Sequence, residues 1–177
     1  QGAEGDLSPK TPENALPKGA PNHERFGGVM ASQAQNLFMK AKNLENGPIL
    51  GKSEKIRLPV RIDPSNPFVR MTLGRAFYPE LVRHYETEYR GGLTTPLDVA
   101  VLGNSLALIG IAGEAFCDHG LRLQSRFGTT PVLALGCCND YHQYFPTIEA
   151  LPKGGYGTEP WIAPTLPGSG AVSYTHL

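Results

Sequence analysis

Three turn segments of this sequence carry side chains that are able to do chemistry. The first segment, Gly5-Asp6-Leu7-Ser8-Pro9, offers a serine hydroxyl as a nucleophile. The second contains Glu114, a carboxylate, and the third spans residues 139–144 and offers the phenol of Tyr144. Glycine or proline bounds each segment, and catalytic side chains often lie in such loops on a rigid scaffold. The elements between the three segments must therefore bring them together.

Composition limits the classes of function that the chain can have. With 177 residues the chain can build one sizeable core, or one domain with a ragged end. The 16 basic residues balance the 16 acidic ones, so the charge does not indicate a nucleic-acid partner or an anionic membrane surface. No apolar run reaches the roughly 18 residues of a membrane helix. The 3 cysteines include an adjacent pair, which is a poor disulfide framework, and we expect them to be small buried residues.

The first half of the chain shows two helical patterns and one strand pattern. Apolar residues at helical spacing predict a helix over residues 29–44, and a weaker apolar face predicts another over 79–90. Between them, residues 55–62 alternate apolar with polar side chains, which is typical of a half-buried strand. Pro59 favours an edge position for that strand, because proline has no backbone N–H to donate to a neighbour.

The segment from residue 97 to residue 144 is the most regular part of the sequence. Two apolar strands, 97–102 and 105–111, are joined by the turn signal Gly103-Asn104, and a helix over 114–126 leads to a strand at 131–135. Strand, helix and strand over about residues 105–136 form a βαβ unit with parallel strands and a right-handed crossover. The predicted fold class is therefore α/β, with a mixed sheet and flanking helices, in a truncated domain.

The βαβ unit gives a reason for the two later segments to meet. Glu114 follows the first strand of the unit, and Tyr144 lies in the turn after the second strand. Both turns are at the carboxyl edge of the sheet, where open α/β sheets bind ligands. The two strands lie about 5 Å apart if they are neighbours and about 10 Å apart if one strand intervenes. We therefore expect Glu114 and Tyr144 to share one ligand.

The order of the three segments resembles the carboxyl half of the catalytic domain in the neutral/alkaline (non-lysosomal) ceramidase family. The family motif Gly-Asp-Val-Ser-Pro-Asn corresponds to residues 5–10, with Val to Leu and Asn to Lys changes, and its Pro-Gly-Glu turn corresponds to 112–114, with Ala112 in place of Pro. Its Asn-x-Tyr-x-x-Tyr segment corresponds to 139–144. Tyr156 matches a further family tyrosine, and the resemblance spans roughly residues 1–165.

This resemblance implies a zinc-dependent amidohydrolase that cleaves the N-acyl amide of ceramide to sphingosine and fatty acid. Glu114 and Tyr144 would be ligands of the Zn²⁺ ion, and two family histidines that complete the site would lie upstream of Gln1. Tyr156 would donate to the oxyanion of the substrate carbonyl. Two mechanisms stay open: Ser8 attacks the carbonyl and forms an acyl-enzyme, or water activated by zinc attacks while Ser8 positions the substrate.

The resemblance also predicts the surroundings of the enzyme. Residues 1–171 would form a partial catalytic domain, and residues 172–177, which look like translated adapter sequence, a non-native tail. We expect a secreted or periplasmic protein with ceramide or another N-acyl lipid as substrate and with peripheral membrane contact. No nucleic acid and no obligate protein partner are expected.

Other interpretations of the same residues remain. The chain would be a catalytically inactive relative that binds lipid or glycan, or a hydrolase of other N-acyl substrates. Taken singly, Asp-x-Ser-Pro is usually a turn, and Glu114 is as often a charge that favours a helix N-terminus. Tyrosines such as Tyr144 are by default half-buried aromatics with a hydroxyl at the surface.

Overall fold

The computed structural model describes residues 2–7, 22–44 and 46–175 of the chain. In chain order the helices and strands are α1 (Asn22–Lys40), β1 (Ile49–Leu58), α2 (Pro67–Ala76), α3 (Pro79–Glu88), β2 (Leu93–Leu102), β3 (Leu106–Ile111), β4 (Glu114–Ala115), α4 (Cys117–Phe127), β5 (Val132–Leu135), β6 (Tyr144–Phe145) and α5 (Val172–Thr175). A short 3-10 turn at Leu151–Lys153 precedes the last loop.

In the part of the chain that the structure describes, the main sheet has four strands in the order β1-β2-β3-β5. The pairs β1–β2 and β2–β3 are antiparallel, whereas β3 and β5 are parallel, with α4 between them in the chain. This arrangement confirms the predicted βαβ unit and the fold class, a mixed sheet with flanking helices. The predicted turn between β2 and β3 is also present, and Gly103 there has a φ of 56°, which glycine adopts without strain.

Strand β1 differs from its prediction in two respects. It starts at Ile49 and ends at Leu58, before Pro59, whereas the alternating pattern predicted a strand over 55–62. Its side chains are exposed on both faces over most of its length, and only Ile56 and Leu58 are shielded. Over residues 55–58, the predicted half-buried alternation is present, since Lys55 and Arg57 are exposed while Ile56 and Leu58 are shielded. The exposed part is residues 49–54, where the sequence pattern did not predict a strand. The predicted edge position is confirmed, since β1 is the outermost strand.

Helix α2 was not predicted, and a cap explains how it forms. The Asn66 side chain accepts a hydrogen bond from the backbone N–H of Phe68 at 2.9 Å, and Pro67 occupies the first turn. Both features favour the start of a helix although the apolar pattern is weak. The predicted helix over 79–90 is present as α3. The predicted helix over 29–44 is present as α1, which begins and ends earlier than the pattern indicated.

The core lies on one face of the main sheet. Alternate side chains of β2 and β3 point into it and pack against α3 and α4. Helix α3 contributes Tyr85, whose hydroxyl donates to the backbone carbonyl of Trp161 at 2.5 Å, and helix α4 contributes Leu123. Val172, in the segment predicted to be a non-native tail, also packs against the core.

Within residues 2–7, 22–44 and 46–175, no helix combines the length and the apolar character that a membrane span requires.

Burial of Leu123 gives a test of the core. Leu123 has no exposed surface, whereas Leu121, two positions earlier in α4, is 67% exposed. We expect Leu123→Ala to lower the free energy of unfolding by about 2–5 kcal/mol, because it leaves a cavity between α4 and the sheet. Leu121→Ala is the matched control and should change it by less than about 0.5 kcal/mol. Urea unfolding followed by circular dichroism measures both, and equal effects would contradict this packing.

Asp63 gives a pH-dependent test of the connection that follows β1. Its Oδ1 accepts hydrogen bonds from the backbone N–H groups of Gly91 at 3.0 Å and Ser65 at 2.8 Å, and these bonds lower the pKa of Asp63. An acid with a lowered folded-state pKa stabilises the fold above its unfolded pKa, and the stabilisation is lost as the pH falls through the folded value.

Below about pH 4, we therefore expect the melting temperature of the unmodified protein to decrease by more than that of Asp63→Asn. Asp118→Asn, at an exposed position in α4, is the control and should keep the pH profile of the unmodified protein. Parallel profiles for Asp63→Asn and the unmodified protein would rule out the role of these hydrogen bonds. Differential scanning fluorimetry across the acidic range measures all three proteins.

Candidate functional site

Glu114 and Tyr144 are directly paired in a small sheet of their own. Strands β4 and β6 are parallel, and Glu114 lies opposite Tyr144 in their register. The backbone N–H of Glu114 donates to the carbonyl of Gln143 at 2.7 Å, and that of Phe116 donates to Phe145 at 3.1 Å. The predicted proximity of Glu114 and Tyr144 is therefore present. Two short strands produce it, rather than two turns at the edge of the main sheet.

Backbone hydrogen bonds hold the loop before β6 against the end of β3. The N–H groups of Cys137, Cys138 and His142 donate to the carbonyls of residues 113, 111 and 112 at 3.0, 3.0 and 2.8 Å. Gly113 is needed for this approach, since a Cβ atom there would lie 2.5 Å from the carbonyl oxygen of Gln143. The loop is thus fixed along its length to the segment that carries Glu114.

Residues of unusual backbone conformation turn this loop. Cys137, Asn139 and Gln143 have φ values of 53°, 61° and 62°, in the left-handed region that residues other than glycine seldom adopt. Such conformations persist only where the surroundings impose them, and they cluster at functional sites. Here the Asn139 side chain donates to the Asp98 carboxylate at 2.7 Å, which ties the loop to β2.

His142 anchors the middle of the loop. Its side chain is 2% exposed, and its Nε2 atom lies 3.1 Å from Oδ2 of Asp140. The imidazole of His142 is buried, and the backbone N–H of His142 donates to the carbonyl of Ala112 just after β3. Together these contacts hold the middle of the loop in place. Tyr141, the neighbour of His142, is by contrast 51% exposed.

A cluster of phenol hydroxyls surrounds Glu114. The hydroxyl of Tyr141 donates to Oε1 of Glu114 at 2.8 Å. The rings of Tyr144 and Tyr156 meet edge to face, with centroids 5.4 Å apart and planes at 76°. Burial raises the pKa of Tyr144, and hydrogen bonding to Glu114 and to Tyr156 raises it further. Burial and the Glu114 hydrogen bond raise the pKa of Tyr141 to about 12. At neutral pH these phenols are therefore protonated donors.

Tyr156 reaches the cluster from a glycine-rich loop. Gly154, Gly155 and Gly157 all have positive φ values, which allow the chain to double back after the 3-10 turn. A Cβ atom at Gly157 would lie 2.9 Å from the ring of Phe116, so the loop fits closely here. The phenol of Tyr156 itself is 74% exposed and is available to a ligand. Three of the four predicted site residues, Glu114, Tyr144 and Tyr156, therefore lie together.

The fourth predicted site residue, Ser8, lies outside the described residues. The described segment just before it in sequence, residues 2–7, packs next to Glu114. Gly5 donates its N–H to the carbonyl of Ala115 at 2.8 Å, and a Cβ atom on Gly5 would lie 2.5 Å from the carbonyl oxygen of Glu114.

Asp6 provides the N-terminal cap that helix α4 lacks locally. The residue before the helix, Phe116, makes no side-chain cap, and Asp6 Oδ1 accepts the backbone N–H of Cys117 at 2.6 Å instead. The Cys117 thiol also lies 3.4 Å from Asp6 Oδ2. Carboxylates are favoured at helix N-termini, so this contact holds Asp6 at the corner between β4 and α4.

The described cysteines correct one expectation. All three are free, as expected, but all three are partly exposed and none is fully buried. Burial raises the pKa of Cys117, and the hydrogen bond to the Asp6 carboxylate adds to the increase. No local pattern predicts this contact, because 111 positions separate Asp6 from Cys117.

The donor atoms present fit part of a zinc site. Zinc takes carboxylate oxygens as well as nitrogen and sulfur, and is usually bound by three or four protein ligands. The Glu114 carboxylate and the Tyr144 phenol supply two adjacent oxygens. Within residues 2–7, 22–44 and 46–175 no group of three or more His, Cys, Asp or Glu side chains is arranged to hold a metal ion. The pair is therefore compatible with zinc but needs further ligands.

Alkylation of Cys117 tests the contact between Asp6 and the first turn of α4. Asp6→Asn keeps an oxygen that can accept from the Cys117 N–H but removes the negative charge beside the thiol. We expect the pKa of Cys117 to fall and its alkylation by iodoacetamide at pH 8 to become a few-fold faster, because the thiolate is the nucleophile. Cys137 is the internal control and should react at an unchanged rate. Peptide mass spectrometry measures each rate, and unchanged alkylation of Cys117 would contradict the contact with Asp6.

Comparison with known proteins identifies the fold. No family model matches the chain, and no curated protein matches its sequence. Among solved structures, neutral ceramidase from Pseudomonas aeruginosa matches with a TM-score of 0.67 and 17% identity over 98% of this chain and 35% of that chain. A ceramidase complexed with C2 matches with a TM-score of 0.59 and 15% identity over 86% of this chain and 32% of that chain. The chain thus spans about a third of these structures and shares the fold of that part of neutral ceramidase.

Proposed function

We propose that the chain is part of a zinc-dependent amidohydrolase that cleaves the N-acyl amide of ceramide-like lipids to a sphingosine-type amine and a fatty acid. The observation that carries this proposal is the convergence of Glu114, Tyr144 and Tyr156 within a fold shared with neutral ceramidase. A fold alone does not fix an activity. The support comes from the oxygen donors and the exposed phenol that this chain places at one point of that fold.

In this proposal Glu114 and Tyr144 hold the Zn²⁺ ion, together with ligands from other residues of the protein. When bound, zinc polarises a carbonyl and lowers the pKa of water to about 7. The pairing of β4 with β6 supports these roles, because the two donors are fixed by backbone hydrogen bonds rather than by flexible loops. A preorganised pair of ligands loses little conformational entropy when the ion binds.

Tyr156 would stabilise the oxyanion that develops during hydrolysis. Its phenol is exposed, and its ring is held edge to face against Tyr144, one of the proposed metal ligands. A carbonyl bound beside the metal would therefore lie within reach of the Tyr156 hydroxyl. Positioned donors of this kind contribute about 3–4 kcal/mol to the stabilisation of a transition state.

Ser8 would act as the nucleophile or position the substrate. The docking of Gly5 and Asp6 beside Glu114 supports this role, since Ser8 follows Asp6 by two positions in sequence. Both mechanisms considered from the sequence stay open, namely attack by the serine hydroxyl and attack by activated water. We also propose a secreted or periplasmic location. Peripheral contact with a membrane belongs to the same proposal, because a lipid surface would present a ceramide substrate.

Activity and zinc content of the intact protein test the proposal together. We expect zinc-loaded protein to release fatty acid from a fluorescent short-chain ceramide. Glu114→Gln should weaken zinc binding by more than about 100-fold, because it removes the negative charge of a ligand. Loss of a hydrogen-bond partner of a ligand typically costs up to about 100-fold. Ser8→Ala should abolish turnover while zinc is retained if serine attacks, and should keep measurable turnover if water attacks.

Two exposed positions provide matched controls for these substitutions. Glu80→Gln in α3 and Ser125→Ala in α4 remove the same groups from exposed side chains on helices and should leave zinc content and turnover unchanged. Zinc-loaded protein that binds the lipid without cleaving it would contradict the enzyme and favour a lipid-binding relative. Cleavage of other N-acyl compounds in preference to ceramide would overturn the substrate but not the reaction.

A further inference from the structure

The loop between β5 and β6 places a second phenol on the carboxylate of Glu114. The Tyr141 hydroxyl donates to Oε1 of Glu114 at 2.8 Å, although 27 positions separate the two residues. The motif that relates this loop to the ceramidase family assigns a zinc ligand to its second tyrosine, Tyr144, and no role to Tyr141. The family motif therefore does not account for the hydrogen bond from Tyr141 to Glu114.

The backbone around Tyr141 is arranged to aim its side chain. His142 is buried on one side of the loop and donates its N–H to the carbonyl of Ala112, while the N–H of Tyr141 donates to Asp140 Oδ1 at 2.8 Å. Asn139 and Gln143, on either side, are both in the left-handed conformation. His142 is buried, whereas the adjacent Tyr141 side chain is half exposed and its hydroxyl reaches the Glu114 carboxylate.

A donor at this position restricts the motion of the carboxylate. A glutamate side chain has three rotatable bonds, and fixing it as a metal ligand costs conformational free energy. A hydrogen bond from a phenol to one carboxylate oxygen selects the orientation in advance and leaves lone pairs available on both oxygens. Metal-binding carboxylates are commonly held by such hydrogen bonds, and loss of the partner weakens metal binding by about 10- to 100-fold.

We infer that Tyr141 is a positioning residue, whose hydroxyl orients the Glu114 carboxylate for metal binding without itself binding the metal. The inference rests on the proposed function, in which Glu114 and Tyr144 hold zinc. It assigns different tasks to the two tyrosines of one loop: Tyr144 supplies a ligand oxygen, and Tyr141 holds the partner ligand in place.

Tyr141→Phe in the intact protein tests this division. We expect its dissociation constant for zinc, measured by competition with a chelator, to rise by about 10- to 100-fold. The near-ultraviolet phenolate band that appears on zinc addition should persist, because Tyr144 still binds the metal. Tyr144→Phe should lose that band. Tyr78→Phe removes the hydroxyl of a tyrosine that is 83% exposed and should change neither quantity.

Two outcomes would overturn the inference while the proposed function stands. Zinc affinity of Tyr141→Phe within about twofold of the unmodified protein would show no positioning role, since loss of such a partner costs at least about tenfold. Loss of the phenolate band in Tyr141→Phe would make Tyr141 a ligand.

A metal-free measurement separates these failures from a failure of the proposed function. If the unmodified protein binds no zinc, the proposed function is wrong. The ¹³C resonance of the Glu114 carboxyl group then decides the positioning on its own. A shift of this resonance in metal-free Tyr141→Phe, with none in Tyr78→Phe, supports the hydrogen bond that orients Glu114, and an unshifted resonance overturns it.

Discussion

Parallel pairing of β4 with β6 is the constraint on which the candidate site depends. Each strand has only two residues, so the pair could not persist through its own hydrogen bonds. It is held from outside: the loop before β6 is bonded to the end of β3, and buried His142 fixes the middle of that loop. The main sheet thus fixes the position of Glu114. Backbone hydrogen bonds connect the βαβ unit to the loop, and the loop to the site.

The site concentrates one negative charge among several hydrogen-bond donors. Glu114 receives the Tyr141 hydroxyl, and Tyr144 and Tyr156 stand next to one another beside it. Burial and the hydrogen bonds to Glu114 raise the pKa values of Tyr141 and Tyr144, so these two phenols offer hydrogen-bond donors around the carboxylate. The Asp6 carboxylate, by contrast, is directed away to the first turn of α4. Each of the two acids therefore has its own set of donors.

The features that were predictable from the sequence depend on local patterns. Continuous apolar residues and the turn at Gly103 predicted β2, β3 and the βαβ unit, and topology then predicted the meeting of Glu114 with Tyr144. The two-residue strands are too short to show any periodicity. The contact of Tyr141 with Glu114 lies in a loop with left-handed backbone conformations. A residue type such as Gln143 does not predict such a conformation. Alternation predicted the part of β1 that has one shielded face, residues 55–58, and missed residues 49–54, which are exposed on both faces.

The outermost position of β1 has a consequence for solution behaviour. Among the described residues the strand has a neighbour on one side only, so its other side presents unpaired backbone groups that can template the addition of a foreign strand. Lys55 and Arg57 place positive charges along this border, while Lys52 is paired with Glu54 at 3.0 Å. Mutual repulsion of these cations opposes the stacking of two copies border to border, and dissolved ions weaken it. Colloidal stability of the isolated polypeptide should therefore decline in concentrated salt.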